Sequence, residues 1–268
     1  MHEELVSVIM STFNTGRLLS QTIDSILTQT HHNLELLITD DHSTDEVTLS
    51  ILRRYREQDA RIDVVFLSEN GGPGHARNKS IERAQGRYIA FCDSDDSWMP
   101  KKLERQIAFM NESGCPLSCT SYIMRCEDGS VLGITNPPRH ISFTTLKHDN
   151  KIGCSTAIYD VKALGKKYYM PTIRKRQDWA LFLTILRENN TAAAGLREPL
   201  AYYLVRPNSV SSNKFGLIKY NISIYRDILG MAPWKATLYF YSVFLPSYFW
   251  KMFRKKVDSI TYLLGRRR

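Results

Sequence analysis

The chain has 268 residues, 43% of them hydrophobic, enough for one large domain or one domain with an appendage, which excludes a disordered chain. Its formal charge of +9 suggests nucleic acid until it is mapped: residues 214–268 carry 11 Lys and Arg against Asp227 and Asp258, residues 1–213 balance, and no nucleic-acid partner is expected. Five cysteines, Cys92, Cys115, Cys119, Cys126 and Cys154, form no CxxC pair and leave an odd count. That argues against a zinc ribbon or a disulfide scaffold and predicts reduced thiols. The start Met1-His2-Glu3-Glu4 has no signal-peptide character, so a cytoplasmic location is expected.

In chain order, β-branched runs at Leu5–Phe13, Leu34–Thr39, Ile62–Leu67 and Tyr88–Cys92 predict four strands. Between them Leu19, Ile23, Ile26 and Leu27 fall at i, i+4, i+7 and i+8, and Val47, Ile51, Leu52 and Tyr55 recur at near-helical spacing. Two amphipathic helices follow from this, the second with capping-box spacing at Ser43-Thr44-Asp45-Glu46. Gly71-Gly72-Pro73-Gly74-His75-Ala76-Arg77-Asn78 is a glycine-rich turn running into a helix, and Pro100 suits the first turn of another through Leu103, Ile107 and Met110. Past Leu117–Arg125 the pattern loosens. Asn136-Pro137-Pro138 marks a turn, Ile152–Tyr159 and Leu200–Val205 predict strands, and Asp178–Glu188 predicts a helix. The alternation over the first 130 residues is that of an α/β protein with a mostly parallel sheet, whose ligands collect beyond the carboxyl ends of the strands.

Three unusual segments fall at that edge: Ser11-Thr12-Phe13-Asn14, Asp40-Asp41-His42-Ser43 and Asp93-Ser94-Asp95-Asp96. Carboxylates this close repel one another unless a cation joins them, and hard oxygen ligands select Mg²⁺ or Mn²⁺ with positions left for phosphate oxygens. Alone, the acidic cluster fits a helix-capping turn equally well; the convergence of all three segments favours a metal and diphosphate site. Asp40 and Asp41 suit a base N–H or a ribose hydroxyl, or the capping of a turn. The glycine-rich turn beside Arg77 and Lys79 suits an anion cradle or a plain tight turn, and it lacks the P-loop and dinucleotide spacings. Asp178, following Arg174-Lys175-Arg176, is either an N-cap or the base that takes a proton from an acceptor hydroxyl in an inverting glycosyl transfer.

Together these residues resemble a known family. Val6–Asn14, Thr39–Asp45, Gly74–Asn78, Gly86–Asp96 and Gln177-Asp178-Trp179, in that order, are similar to the motifs of glycosyltransferase family 2, which has the GT-A fold, in its bacterial cell-surface polysaccharide branch. Lys175–Trp179 and Arg206–Ser211 resemble its teichuronic-acid-type members. The resemblance implies a GT-A domain over residues 1–213, with a nucleotide-sugar half at 1–116 and an acceptor half at 117–213. It implies donor contacts from Ser11, Phe13, Asn14, Asp41, Arg77 and Asp93, a DxD metal element of Asp93 and Asp95, and Asp178 as catalytic base. His42 departs from the pattern, where the family often has glycine.

The tail, residues 214–268, holds 13 of the 29 aromatic residues, interleaved with Lys251, Arg254, Lys255 and Lys256. This composition predicts a helical extension that docks on an anionic membrane surface, with a homo-oligomer interface as the alternative. Ala236–Trp250 is uncharged but short and contains Pro246, which argues against a spanning helix. The function expected is transfer of a sugar from a nucleotide-diphosphate sugar, a UDP-sugar, to a lipid-linked glycan acceptor at the inner membrane face. The alternatives are a non-catalytic nucleotide-sugar-binding subunit and a metal-dependent nucleotidyltransferase.

Overall fold

The computed structural model describes residues 3–206 and 215–265. The Pro207–Ser211 part of the narrower motif and the 213/214 boundary lie outside them. The four expected strands form, as β1 (Val6–Thr12), β2 (Leu34–Asp40), β3 (Ile62–Phe66) and β4 (Tyr88–Phe91), parallel in the order β3-β2-β1-β4. Beyond β4 the sheet continues through six more: β5 (Ser97–Trp98), β6 (Leu117–Arg125), β7 (Val131–Thr135), β8 (His140–Ile141), β9 (Ile158–Asp160) and β10 (Ala193–Leu204). β9 joins antiparallel between β4 and β6, while β10 runs parallel to β6.

Strand alternation sends neighbouring residues to two cores, one on each face of the sheet. Val6, Val8 and Met10 of β1 meet α1 (Leu18–Leu27), α2 (Glu46–Gln58) and, through Leu103, Ile107 and Met110, the helix that begins at Lys102. Ile9, with Ile89 and Phe91 of β4, belongs to the opposite core. There α3 (Pro73–Arg83) contributes Ile81, and the short helix Phe143–His148 contributes Leu146. The helix Gln177–Glu188 adds Trp179 through Leu183. In chain order these helices and the short Val161–Leu164 turn are α4 (Lys102–Ser113), α5, α6 (Val161–Leu164) and α7 (Gln177–Glu188).

Two local expectations are corrected. The cap of α2 is Asp45, which accepts from Thr48 N at 2.9 Å, because Ser43 is drawn away to Asp40. Ile152–Tyr159 is not one strand: Cys154–Thr156 forms a 3₁₀ turn, leaving only Ile158–Asp160 extended.

The tail forms α8 (Ile218–Ser223), α9 (Pro233–Tyr239) and α10 (Leu245–Gly265). A π turn at Phe240–Phe244 links the last two just ahead of Pro246, which has no N–H for the regular ladder. Tyr225, Phe240 and Phe244 are buried in the core of α7, with Trp179 5.9 Å from the Tyr225 ring and 5.7 Å from the Phe244 ring. The inner aromatic half of the tail is therefore core. Among the described residues no helix is long and apolar enough to cross a membrane.

Candidate active site

The loops after β1 and β2 are built as one unit. Asn14 adopts a left-handed backbone, its N–H donates to Ser43 Oγ at 2.9 Å, and its side-chain oxygen accepts from Thr44 N and Asp45 N at 2.9 and 3.0 Å. The amide of Asn14 thus joins the two loops, and Phe13 beside it is left 49% exposed at the sheet edge. Ser11 is buried opposite Thr39 in the parallel register. His42 has φ 66°, a left-handed conformation that glycine adopts without strain and that a histidine adopts at a cost.

Asp40 and Asp41 are both buried and have different work. Asp40 closes its own turn by accepting from Ser43 N at 2.8 Å and Ser43 Oγ at 2.5 Å. Asp41 accepts from Gly71 N and Gly72 N, both at 2.8 Å. The anion held by the glycine-rich turn is thus the protein's own carboxylate. Asp41 still has lone pairs to offer, since an ionised carboxylate accepts at about four sites.

In the acidic turn after β4, each carboxylate faces a different partner. Asp93 accepts from Arg77 Nη2 at 2.5 Å, and Asp95 is paired with Arg206 just past β10. Asp96 is buried and accepts from Ser155 Oγ at 2.5 Å and Leu204 N at 3.0 Å. Burial, then the charges of Asp93 and Asp95, push the Asp96 carboxyl well above the usual carboxylate range. Asp96 therefore does not cap α4, whose N-cap Lys101 makes no side-chain capping bond. Asp93 and Asp95 keep side-chain exposures of 31% and 22%, so two hard oxygen donors stay partly open while Asp96 is buried. This donor set fits a divalent ion that takes its remaining ligands from phosphate and water; among the described residues no three His, Cys, Asp or Glu side chains converge.

Arg77 lies on the buried face of α3. The start of that helix abuts the start of α7 so closely that a Cβ on Gly74 would meet Gln177 Cγ at 2.8 Å. Burial opposes the Arg77 charge, but the Asp93 carboxylate bonded to it and the charge of Asp178 help hold the guanidinium ionised. Asp178 is the second residue of α7, not its cap, and its Oδ2 accepts from Asn150 Nδ2 at 3.1 Å. The preceding cations part ways: Arg176 donates to Asn221, Lys175 lies over the Tyr220 ring, and Arg174 lines a cleft of about 360 Å³ with Asn70, His75 and Asn78.

The structure thus brings Asp41, Arg77, Asp93 and Asp95 to one edge, with Asp178 within electrostatic reach of Arg77. Sequence reasoning missed Asn150 and Ser155, whose only signal is position in a turn, and it quoted Arg206 without a role.

The family model described as glycosyl transferase family 2 matches residues 7–169. A Bacillus subtilis protein that bears the name of a teichuronic acid biosynthesis glycosyltransferase, TuaG, is 43% identical over 87% of this chain and 92% of its own. WfgD of Escherichia coli, named as a UDP-Glc:alpha-D-GlcNAc-diphosphoundecaprenol beta-1,3-glucosyltransferase, is 34% identical over 85% of this chain and 88% of its own. Among solved structures, S. aureus TarS in complex with UDP-GlcNAc superposes with a TM-score of 0.66 at 23% identity, over 91% of this chain and 72% of that one. The chain spans 43% of the longer TarS structure. The mannosyltransferase PcManGT of Pyrobaculum calidifontis, in complex with GDP-Man and Mn²⁺, gives 0.66 at 17% identity over 99% of this chain and 80% of its own. These two likenesses carry the fold, GT-A.

Proposed function

The chain belongs to glycosyltransferase family 2, and on that premise we propose an inverting, metal-dependent transferase that moves a sugar from a UDP-sugar to a lipid-linked glycan acceptor in cell-surface polysaccharide synthesis. The observation that carries this reading is the Arg77–Asp93 ion pair beyond the carboxyl end of the sheet, with Asp95 two residues further along the same acidic turn and the charge of Asp178 acting on Arg77. Ser11, Phe13 and Asn14 flank the nucleobase, and Asp41 accepts from it or from the ribose. Arg77 holds Asp93 and faces the diphosphate. Asp93 and Asp95 would hold Mg²⁺ or Mn²⁺, which supplies positive charge to the diphosphate as it leaves. Asp178 takes the proton of the acceptor hydroxyl as that oxygen attacks the anomeric carbon, and the configuration inverts in a single displacement.

The choice of donor and acceptor is supported by the name of the WfgD relative, which specifies a UDP-sugar and a diphosphoundecaprenol-linked acceptor. An acceptor of that kind sits in the membrane, and the exposed aromatic residues of α9 and α10 suit docking on its anionic inner face.

The test is a panel of nucleotide sugars with a lipid-linked acceptor, read as nucleoside diphosphate release and glycan product. Asp95→Ala is expected to abolish release. Asp178→Asn is expected to keep donor binding while transfer falls by about a thousandfold. Turnover by Asp95→Ala with chelator present overturns the metal assignment, near-normal transfer by Asp178→Asn overturns the base, and pyrophosphate as product points to nucleotidyl transfer.

A further inference from the structure

Asp149, between α5 and the 3₁₀ turn, is fully buried and ionic. It accepts from Lys151 Nζ at 2.7 Å, and α10 supplies its other partners: Ser247 Oγ at 2.8 Å and Lys251 Nζ at 3.0 Å. A buried carboxylate needs such pairing, because an unpaired charge in this position is strongly destabilising. The same Lys251 ammonium also donates to the backbone carbonyl of Asn150 at 2.9 Å, so one cation from the tail grips two consecutive residues of this turn.

The next link is the Asn150 side chain. Its oxygen accepts from Ile152 N at 3.1 Å, which fixes the amide so that its NH₂ points the other way, to Asp178 Oδ2 at 3.1 Å. Lys251 of α10 thus holds the Asn150 backbone, with Asp149 bound to the same ammonium, and the Asn150 side chain in turn holds the carboxylate on α7.

We propose that Lys251, Asp149 and Asn150 are positioning residues for Asp178, so that the C-terminal helix is a working part of the transfer site. The proposal rests on Asp178 being the base. A base must stand within hydrogen-bond reach of the acceptor hydroxyl while that oxygen is in line with the anomeric carbon, and displacement by about 1 Å costs on the order of a hundredfold in rate. Asn150 sets where the Asp178 oxygen lies, and Lys251 sets where Asn150 lies. None of the three touches the donor residues Asp41, Arg77 or Asp93 in the hydrogen bonds described, so their effect belongs to turnover and not to donor affinity.

The experiment compares full-length Lys251→Met, Lys251→Arg and Asn150→Ala with wild type and Asp178→Asn, on the donor and acceptor that wild type turns over. Lys251→Met and Asn150→Ala are each expected to lower kcat by roughly tenfold to a hundredfold, with donor KM within about twofold of wild type. Lys251→Arg, which keeps the charge and the donors, is expected to recover most of kcat. The double variant Lys251→Met/Asn150→Ala is expected to match Asn150→Ala, since both substitutions break one path. If Lys251→Met does not fold, Asn150→Ala decides alone, because it leaves the Asp149 pairing intact. Wild-type kcat in Asn150→Ala while Asp178→Asn is inactive overturns the proposal and leaves the transferase reading standing. Activity in Asp178→Asn overturns the base assignment and the proposal with it.

Discussion

Lys102 is fully buried in the first turn of α4, its ammonium 3.8 Å from the centre of the Trp98 ring and without a hydrogen-bond partner. Burial pulls its pKa down to about 7, against a weaker opposing influence from Cys92. In the unfolded chain the same group titrates near about 10.4. Below about pH 7 it is charged in both states and the cost of burying it is constant. Between about pH 7 and 10 the unfolded chain carries a proton that the fold has shed, so stability climbs with pH through that window. The Trp98 face offsets part of the cost of the buried charge by cation–π attraction. Lys102→Met is expected to raise the urea midpoint at pH 6.5 and to flatten the rise between pH 7 and 10. An unchanged pH dependence in the variant would mean that Lys102 is not its source.

At the scale of elements, α10 covers strand β7 through a contact that only glycine permits. Ser259 Oγ accepts from Ile134 N at 3.2 Å and donates to Ile134 O at 3.1 Å, and a Cβ on Gly133, whose φ is 148°, would overlap the Ser259 side chain. Gly133→Ala is expected to cost about 2 kcal/mol or more, seen as a lower Tm. Adding Ser259→Gly should recover only part of it, because the overlap is relieved while the backbone strain stays; full recovery would show that strain contributes nothing. Such long-range fits are what the sequence conceals. β1 to β4, α1, α2 and α4 are legible because apolar residues repeat at strand or helix period within each, and α3 because a glycine-rich turn with Pro73 opens it; Asp41, Arg77, Asp93, Asp95 and Asp178 stand out as candidates because they are polar residues at strand ends and helix starts. β7 and β8 are not legible, since a short strand with an internal glycine and a two-residue strand carry no period. Ile152–Tyr159 misled in the other direction. Its apolar composition reads as a strand, but Gly153 and the 3₁₀ turn after it bend the chain so that Ser155 reaches both Asp93 N, at 3.0 Å, and Asp96.

On the whole molecule, charge and apolar exposure are concentrated on the same element. Residues 1–213 are electrically balanced, while the tail carries the full +9 excess. Most of the large hydrophobic side chains left exposed also lie there, among them Trp234 at 65%, Tyr241, Phe249, Trp250 at 61%, Phe253 and Ile260. The tail thus has two faces. One is sealed on Trp179 by Tyr225, Phe240 and Phe244, and the other offers aromatic rings bordered by Lys235, Arg254 and Lys256. Lys251, expected among the outward cations, is instead turned in to Asp149. Such a face suits the headgroup layer of a membrane, where each basic residue near an anionic surface would add about 1 kcal/mol. The full chain is therefore expected to float with phosphatidylcholine–phosphatidylglycerol vesicles, less with phosphatidylcholine alone, and less as salt is raised. Trp250→Ser/Phe253→Ser, which removes exposed rings and no core contact of α7, should remain at the bottom of the gradient. Equal flotation of wild type and variant would overturn membrane docking by this face. A wild-type dimer that the same substitutions convert to a monomer would instead assign the face to a second copy of the chain.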